Sequence, residues 1–155
     1  EDDAMVNFRM EGGTVGRLWT STVAIGRQHG LDIQVFGETG AFRWAQEQPN
    51  QVYYQRLGGR TEILEKGDAG LTPDAARLSR VVIGSPEGFP LAVANIYVDL
   101  AEAVGAAKSG RAPDPVATLF PKATDGVRSM AAVYAAVASA KAQGAWEDAR
   151  PPMFR

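Results

Sequence analysis

Leu31-Asp32-Ile33-Gln34-Val35-Phe36-Gly37-Glu38-Thr39-Gly40-Ala41-Phe42-Arg43-Trp44 is the stretch that decides the fold. A β-branched and aromatic run stops at two glycines three positions apart and then resumes. That is the pattern of two strands joined by a tight turn. The same punctuation continues on both sides. After Ala41 to Gln46, Gln48-Pro49-Asn50 turns the chain into Val52 to Leu57. Gly58-Gly59 is a two-residue turn, since only glycine takes positive φ at both positions without steric cost, and it leads to Thr61 to Lys66. Upstream, Ala4 to Met10 and Thr14 to Ala24 flank Glu11-Gly12-Gly13 as a further hairpin. Gly26-Arg27-Gln28-His29-Gly30 is the loop that enters the strand from Leu31 to Phe36.

The second half has helical spacing. Thr72-Pro73-Asp74 reads as a cap, a first-position proline and a first-turn acid. Ser85 to Phe89 is a loop. A helix follows from about Leu91 to Ala107, with Val93, Ile96, Leu100 and Val104 on one face. Gly110 and Pro113 lie beyond its end, and Pro115 and Pro121 interrupt the connector. A last helix runs from about Asp125 to Gln143, capped by Thr124 or Asp125. Its stripe is Val127, Met130, Tyr134 and Val137, and Gly144 is a C-cap position. Strands followed by helices, without alternation, predict an α+β fold: a predominantly antiparallel, six-stranded open sheet with helices packed on one face. No repeat, low-complexity tract or linker divides the chain, so residues 1–155 read as one domain. The sheet reads as too apolar for one solvated face. Tyr53 and Tyr54 point to opposite sides; Leu31, Ile33 and Val35 share a side that Phe36 does not. The patch rule tips this toward an interface, so a homo-oligomer formed through the open sheet face is expected.

Composition narrows the chemistry. With 155 residues, 45% of them apolar, the chain is long enough to bury roughly 70% of its unfolded surface. Lys+Arg is 16 against Asp+Glu 18, interspersed, so there is no phosphate-neutralising stripe and no nucleic-acid partner is expected. Zero cysteines exclude disulfides and thiolate metal sites and fit a cytoplasmic protein. The acidic opening Glu1-Asp2-Asp3 is not a signal peptide. The longest soft stretch, Met130 to Ala138, is short of the roughly 20 residues a membrane span needs, so no membrane partner is expected. His29 is the one histidine, and no Gly-x-Ser-x-Gly elbow accompanies it, which leaves no triad. No pattern selects two of Glu38, Glu47, Glu62, Glu65 and Glu87 as a catalytic carboxylate pair. Asp2-Asp3 and Glu147-Asp148 read as solvated charges, and no metal site is expected. The 17 glycines include no Gly-x-Gly, so the turn that admits a pyrophosphate is missing and no dinucleotide is expected to bind this chain. The loop Gly26 to Gly30 is the best local candidate for ligand contact, because it sets a cation, an amide and an imidazole between two flexible residues at strand ends. Local sequence taken by itself favours a solvent-exposed connection there.

Several motifs, in order, resemble the C-terminal domain of the Gfo/Idh/MocA oxidoreductases. They are Gly16-Arg17-Leu18-Trp19-Thr20-Ser21, Gly26-Arg27 through His29-Gly30-Leu31-Asp32-Ile33-Gln34-Val35, Gly37 to Trp44, and Pro49-Asn50. Ser85-Pro86-Glu87-Gly88-Phe89, ahead of a helix with Asn95, Tyr97 and Asp99, resembles that family's His-Pro-Glu-Gly-Tyr segment. Phe120-Pro121-Lys122-Ala123-Thr124-Asp125-Gly126 resembles the start of its last helix. The resemblance implies a two-domain enzyme in which an N-terminal Rossmann domain holds NAD or NADP. The domain seen here would supply substrate contacts and the oligomer interface, for hydride transfer at a sugar or cyclitol hydroxyl. It implies Arg27, His29 and Leu31 at the pocket mouth and Phe89 opposite. It implies no catalytic residue here: the family's Glu-Lys-Pro lysine has no counterpart in Glu65-Lys66-Gly67, and its Asp and His pair would precede Glu1. Ser85, Phe89 and Leu31 stand where relatives carry other side chains, so substrate identity does not transfer. The chain starts at Glu1 rather than at Met and is expected to be a carboxy-terminal piece of a larger enzyme, inactive by itself. The alternative is a stand-alone α+β ligand-binding or assembly module without catalysis.

Overall fold

Gly37 and Gly40 close the first turn of a four-stranded meander, with the Gly37 N–H on the Gly40 carbonyl at 2.8 Å. The computed structural model describes residues 2–151 and Met153, so Glu1 lies outside the described residues. The strands are β1 (Asp3–Arg9), β2 (Val15–Ser21), β3 (Asp32–Phe36), β4 (Gly40–Ala45), β5 (Gln51–Arg56) and β6 (Thr61–Glu65). The helices are α1 (Pro73–Ala76), α2 (Phe89–Lys108) and α3 (Ala123–Lys141), with a 3-10 turn at Val116–Thr118. All six expected strands and all three expected helices are present.

The expected six-stranded sheet is corrected. The strands form a two-stranded β1-β2 ribbon and a separate four-stranded sheet in the order β3-β4-β5-β6, every ladder antiparallel. β2 stops at Ser21, where its partner β1 runs out, and not at Ala24. Beyond the ladder the Thr22 N–H reaches the Asp2 carbonyl, and the Ile25 N–H turns back to Val23. Gly26 and Gly30, at φ 92° and 66°, then reverse the backbone before β3. The elements fall into two compact units. One holds the β1-β2 ribbon and α3 (Glu1–Gly26 with Pro121–Arg155). The other holds the four-stranded sheet, α1 and α2 (Arg27–Phe120).

Register resolves the sheet's polarity. Ile33, Val35, Phe42, Trp44, Val52, Tyr54 and Leu64 line one face. The other carries Gln34, Phe36, Arg43, Tyr53, Gln55 and Ile63, with the Arg43 guanidinium over the Tyr53 ring. The second face is thus more polar than the sequence suggested, because cross-strand neighbours put Gln34, Arg43 and Gln55 together there. Burial is thinner than chain length predicts. Among the described residues, Ala106, Ala117 and Pro151 are the buried apolar side chains and Asp99 the buried polar one. Small units bury a smaller share of their surface. Gly40 tolerates no side chain: a Cβ there would lie 2.8 Å from the Gln55 carbonyl oxygen on the next strand. Gly40→Val is expected to cost about 1–3 kcal/mol, read as a lower urea midpoint.

Helix ends follow local chemistry. The Ala75 N–H reaches the Thr72 hydroxyl, so Thr72 caps α1 as expected. α3 begins at Ala123, two residues early, because Asp125 sits at the third helical position and accepts the Lys122 N–H at 2.9 Å. Of its expected stripe, Val137 is half-buried and the other three residues are open. Met130 and Tyr134 are 51% and 69% exposed and, with Val127, line a groove of about 690 Å3 under Glu147, Asp148 and Arg150.

α2 replaces Met130 to Ala138 as the most apolar segment. It is long and apolar enough to cross a membrane. Its polar residues bond to other parts of the chain. The Glu102 carboxylate takes both Arg111 terminal nitrogens, at 2.6 and 2.7 Å, and the Asp114 N–H. The Arg111 hydrogen bonds, then the Asp114 N–H, lower its pKa to about 2. A carboxyl held below its ordinary 4.5 adds stability that is fully present above that pH and is lost as pH falls toward 2. Glu102→Gln is therefore expected to be less stable than the parent near neutrality and equal to it at about pH 2, by denaturation midpoints at each pH.

Candidate functional site

The turn between β4 and β5, Gln46 to Asn50, is the mount on which the candidate residues converge. On one side the Gln46 N–H donates to the Leu31 carbonyl at 2.9 Å, and the Gly30 N–H donates to the Glu47 carboxylate at 2.6 Å. The Gly30 N–H, followed by the backbone N–H of Glu47, holds the Glu47 carboxyl below the usual glutamate range. The loop carrying Arg27, His29 and Leu31 is thus fixed at its C-terminal end. Arg27 lies 3.8 Å from Asp32, at the start of β3. Arg27, His29 and Leu31 are all exposed.

On the other side the turn holds the segment that leads into α2. The Glu87 N–H donates to the Asn50 side-chain oxygen at 3.3 Å, and the Lys66 N–H to the Asn50 carbonyl at 2.9 Å. Pro49 accepts the Trp44 indole N–H. Phe89, the first residue of α2, is 68% exposed. The segments bearing Arg27, His29 and Leu31 and the segment bearing Phe89 therefore meet the same end of the four-stranded sheet, each bonded to the same five-residue turn.

Several residues that carried the sequence resemblance bond within the fold. The Asn95 side chain accepts from Arg80 Nε at 2.6 Å and donates to the Leu78 carbonyl. Asp99, 7% exposed, takes both terminal nitrogens of Arg77 at 2.9 and 3.0 Å, and Arg77 also reaches the Val116 carbonyl. The paired Arg77 keeps the Asp99 carboxyl below the usual aspartate range. Tyr97 is exposed. In the other unit the Phe8 ring lies across Gly16, its partner in the ladder. Glu47 was weighed from the sequence only as an unselected acid, and Glu87 also as part of the Pro86-Glu87-Gly88 segment. Their hydrogen-bond partners, largely backbone N–H groups, are found by folding. Pro86-Glu87-Gly88 was the sequence signal at Glu87, and none marked Glu47.

Among the described residues, no cluster of three or more His, Asp or Glu side chains could hold a metal ion. Nor do the described residues form a Rossmann-type dinucleotide turn. Every described ladder is antiparallel, so no helix follows a strand of a parallel βαβ unit, and no Gly-x-Gly turn precedes a helix.

No protein-family model matches the chain. It is 32% identical over 106 residues to the uncharacterized oxidoreductase YfiI of Bacillus subtilis, a stretch covering 68% of this chain and 27% of that protein. An oxidoreductase from Sinorhizobium meliloti matches it in three dimensions with a TM-score of 0.86 and 37% identity, over 95% of this chain and 41% of the other. An inositol dehydrogenase homolog from Azotobacter vinelandii, solved with NADH and myo-inositol, gives a TM-score of 0.88 and 34% identity, over 96% of this chain and 39% of the other. The chain thus spans about two fifths of these solved relatives. The resemblance read from the sequence holds in three dimensions: the chain is similar over nearly its whole length to the C-terminal domain of the Gfo/Idh/MocA-type oxidoreductases.

Proposed function

We propose that this chain is the substrate-binding and assembly domain of an NAD(P)-dependent oxidoreductase that acts on a hydroxyl of a polyol, cyclitol or sugar. The observation that carries the reading is the convergence on one turn of two exposed segments with complementary chemistry. Arg27 and His29 offer hydrogen-bond donors suited to hydroxyls. Leu31 and Phe89 offer apolar edges suited to the C–H faces of a ring. Relatives that share the fold support it, one of them bound to NADH and myo-inositol.

The dinucleotide and the acid–base group belong, in this reading, to a Rossmann domain elsewhere in the full-length enzyme, since the residues here fit neither role. The bound dinucleotide would accept or return the hydride. This domain's part is to orient the hydroxyl-bearing carbon and to exclude water around it. The mixed sheet face of Gln34, Phe36, Arg43 and Tyr53 is proposed as a homo-oligomer contact, and the cysteine-free composition suits the cytoplasm.

The test is to express the full-length protein and follow reduction of NAD+ and of NADP+ with myo-inositol and a panel of polyols and sugars. Substrate-dependent reduction with at least one of them is the expected result. Saturable binding of a polyol without reduction of either nucleotide would replace the enzyme reading with that of a binding module.

A further inference from the structure

Lys66 and Glu87 form the most enclosed ion pair among the described residues, with side chains 12% and 10% exposed and 2.7 Å between Nζ and Oε1. The same Glu87 oxygen also accepts the N–H groups of Arg80 and Val81, each at 2.7 Å. Lys66 Nζ in turn donates to the Val81 carbonyl at 2.7 Å. Burial opposes the charged form of Glu87, but the Lys66 ammonium and the two N–H groups outweigh it and hold its pKa below the usual range. Glu87 therefore joins Lys66, at the end of β6, and the Arg80 and Val81 amides through its carboxylate, and the Asn50 turn through its backbone N–H. Charge-assisted bonds of this kind fix geometry more firmly than neutral ones.

The next residue, Gly88, is the N-cap of α2 and offers no side-chain cap, and Phe89 opens the helix after it. The rest of α2 has its own anchors in Asn95 and Asp99. Removing the Glu87 carboxylate would leave the helix body held and would free only its first turn. We propose that Glu87 is a positioning residue: locked by Lys66, it sets where Phe89 stands relative to the Gln46 to Asn50 turn, and so tunes substrate binding without touching substrate. This rests on the reading above that Phe89 contacts substrate.

The test compares Glu87→Gln, Phe89→Ala and the double variant in the full-length enzyme, with myo-inositol or whichever polyol or sugar of the panel turns over best. Each single change is expected to raise KM about fivefold, with kcat little altered. The double variant should be no worse than the worse single one, because Phe89→Ala removes the group that Glu87 places. Glu87→Asp should recover part of the loss. Hydrogen exchange at the Arg80 and Val81 amides should quicken in Glu87→Gln, while amides of the Asn95 to Glu102 turns keep their protection. If Glu87→Gln does not fold, Lys66→Gln carries the same comparison with the two N–H donors left in place. Additive losses, or a KM raised by Phe89→Ala but not by Glu87→Gln, overturn the inference while the site reading stands. An unchanged KM in Phe89→Ala, or no turnover of any panel member by the unmodified enzyme, overturns the site reading and this inference with it.

Discussion

Asp99→Ala is expected to lower the thermal midpoint of this protein by about 5–10 °C, the largest stability effect foreseen for a single side chain here. The change strands Arg77. Its guanidinium is two-thirds covered, its Nε already lacks a hydrogen-bond partner, and only the Val116 carbonyl would remain to it. A cation enclosed without its anion costs more than the pair contributes, because desolvation is no longer offset. The double variant Arg77→Met with Asp99→Leu should therefore melt above Asp99→Ala. If instead the single variant melts within about 2 °C of the parent, the pair is not what holds α2 to the Val116–Thr118 turn.

The largest expected functional effect is in the full-length enzyme carrying Arg27→Ala with His29→Ala. KM for the polyol or sugar substrate should rise about tenfold or more, the scale set by losing hydrogen bonds from charged or polar donors. A kcat within about twofold of the parent would mark the loss as binding common to ground and transition state. KM for the nucleotide should not move. Unchanged KM for every substrate would return the loop to a solvent-exposed connection and leave this domain a role in assembly. Glu47→Gln should give a weaker version of the same phenotype, since it loosens the loop at Gly30 without removing either donor.

The strands, helices and turns were legible because each is set by neighbours in sequence. Gly37 and Gly40 announce a turn whatever the rest of the chain does, and Thr72-Pro73-Asp74 announces a helix start. The division into a ribbon and a separate sheet was not legible. Whether β2 pairs with β3 depends on the path of the Thr22 to Gly30 connection, and strand composition is the same in either arrangement. Face polarity was misjudged for a related reason: Gln34, Arg43 and Gln55 become neighbours only once register is known. The loop that carries Arg27 and His29 could be picked out by residue type. Its anchor could not, since Glu47 is 17 residues from Gly30 and binds a backbone N–H that every residue type but proline supplies. Lys66 and Glu87, 21 residues apart, were hidden in the same way.

The mount has a consequence for how such domains diversify. Glu87, Asn50, Asn95 and Asp99 spend their hydrogen bonds on backbone groups and on Lys66, Arg80 and Arg77, whereas Arg27 and His29 stand on the span between Gly26 and Gly30. A new loop of equal length between those two glycines could be grafted without disturbing a single ladder hydrogen bond. Substrate range and architecture are in that sense separately inherited, and two proteins with the same Pro-Glu-Gly segment share a bracket rather than a diet.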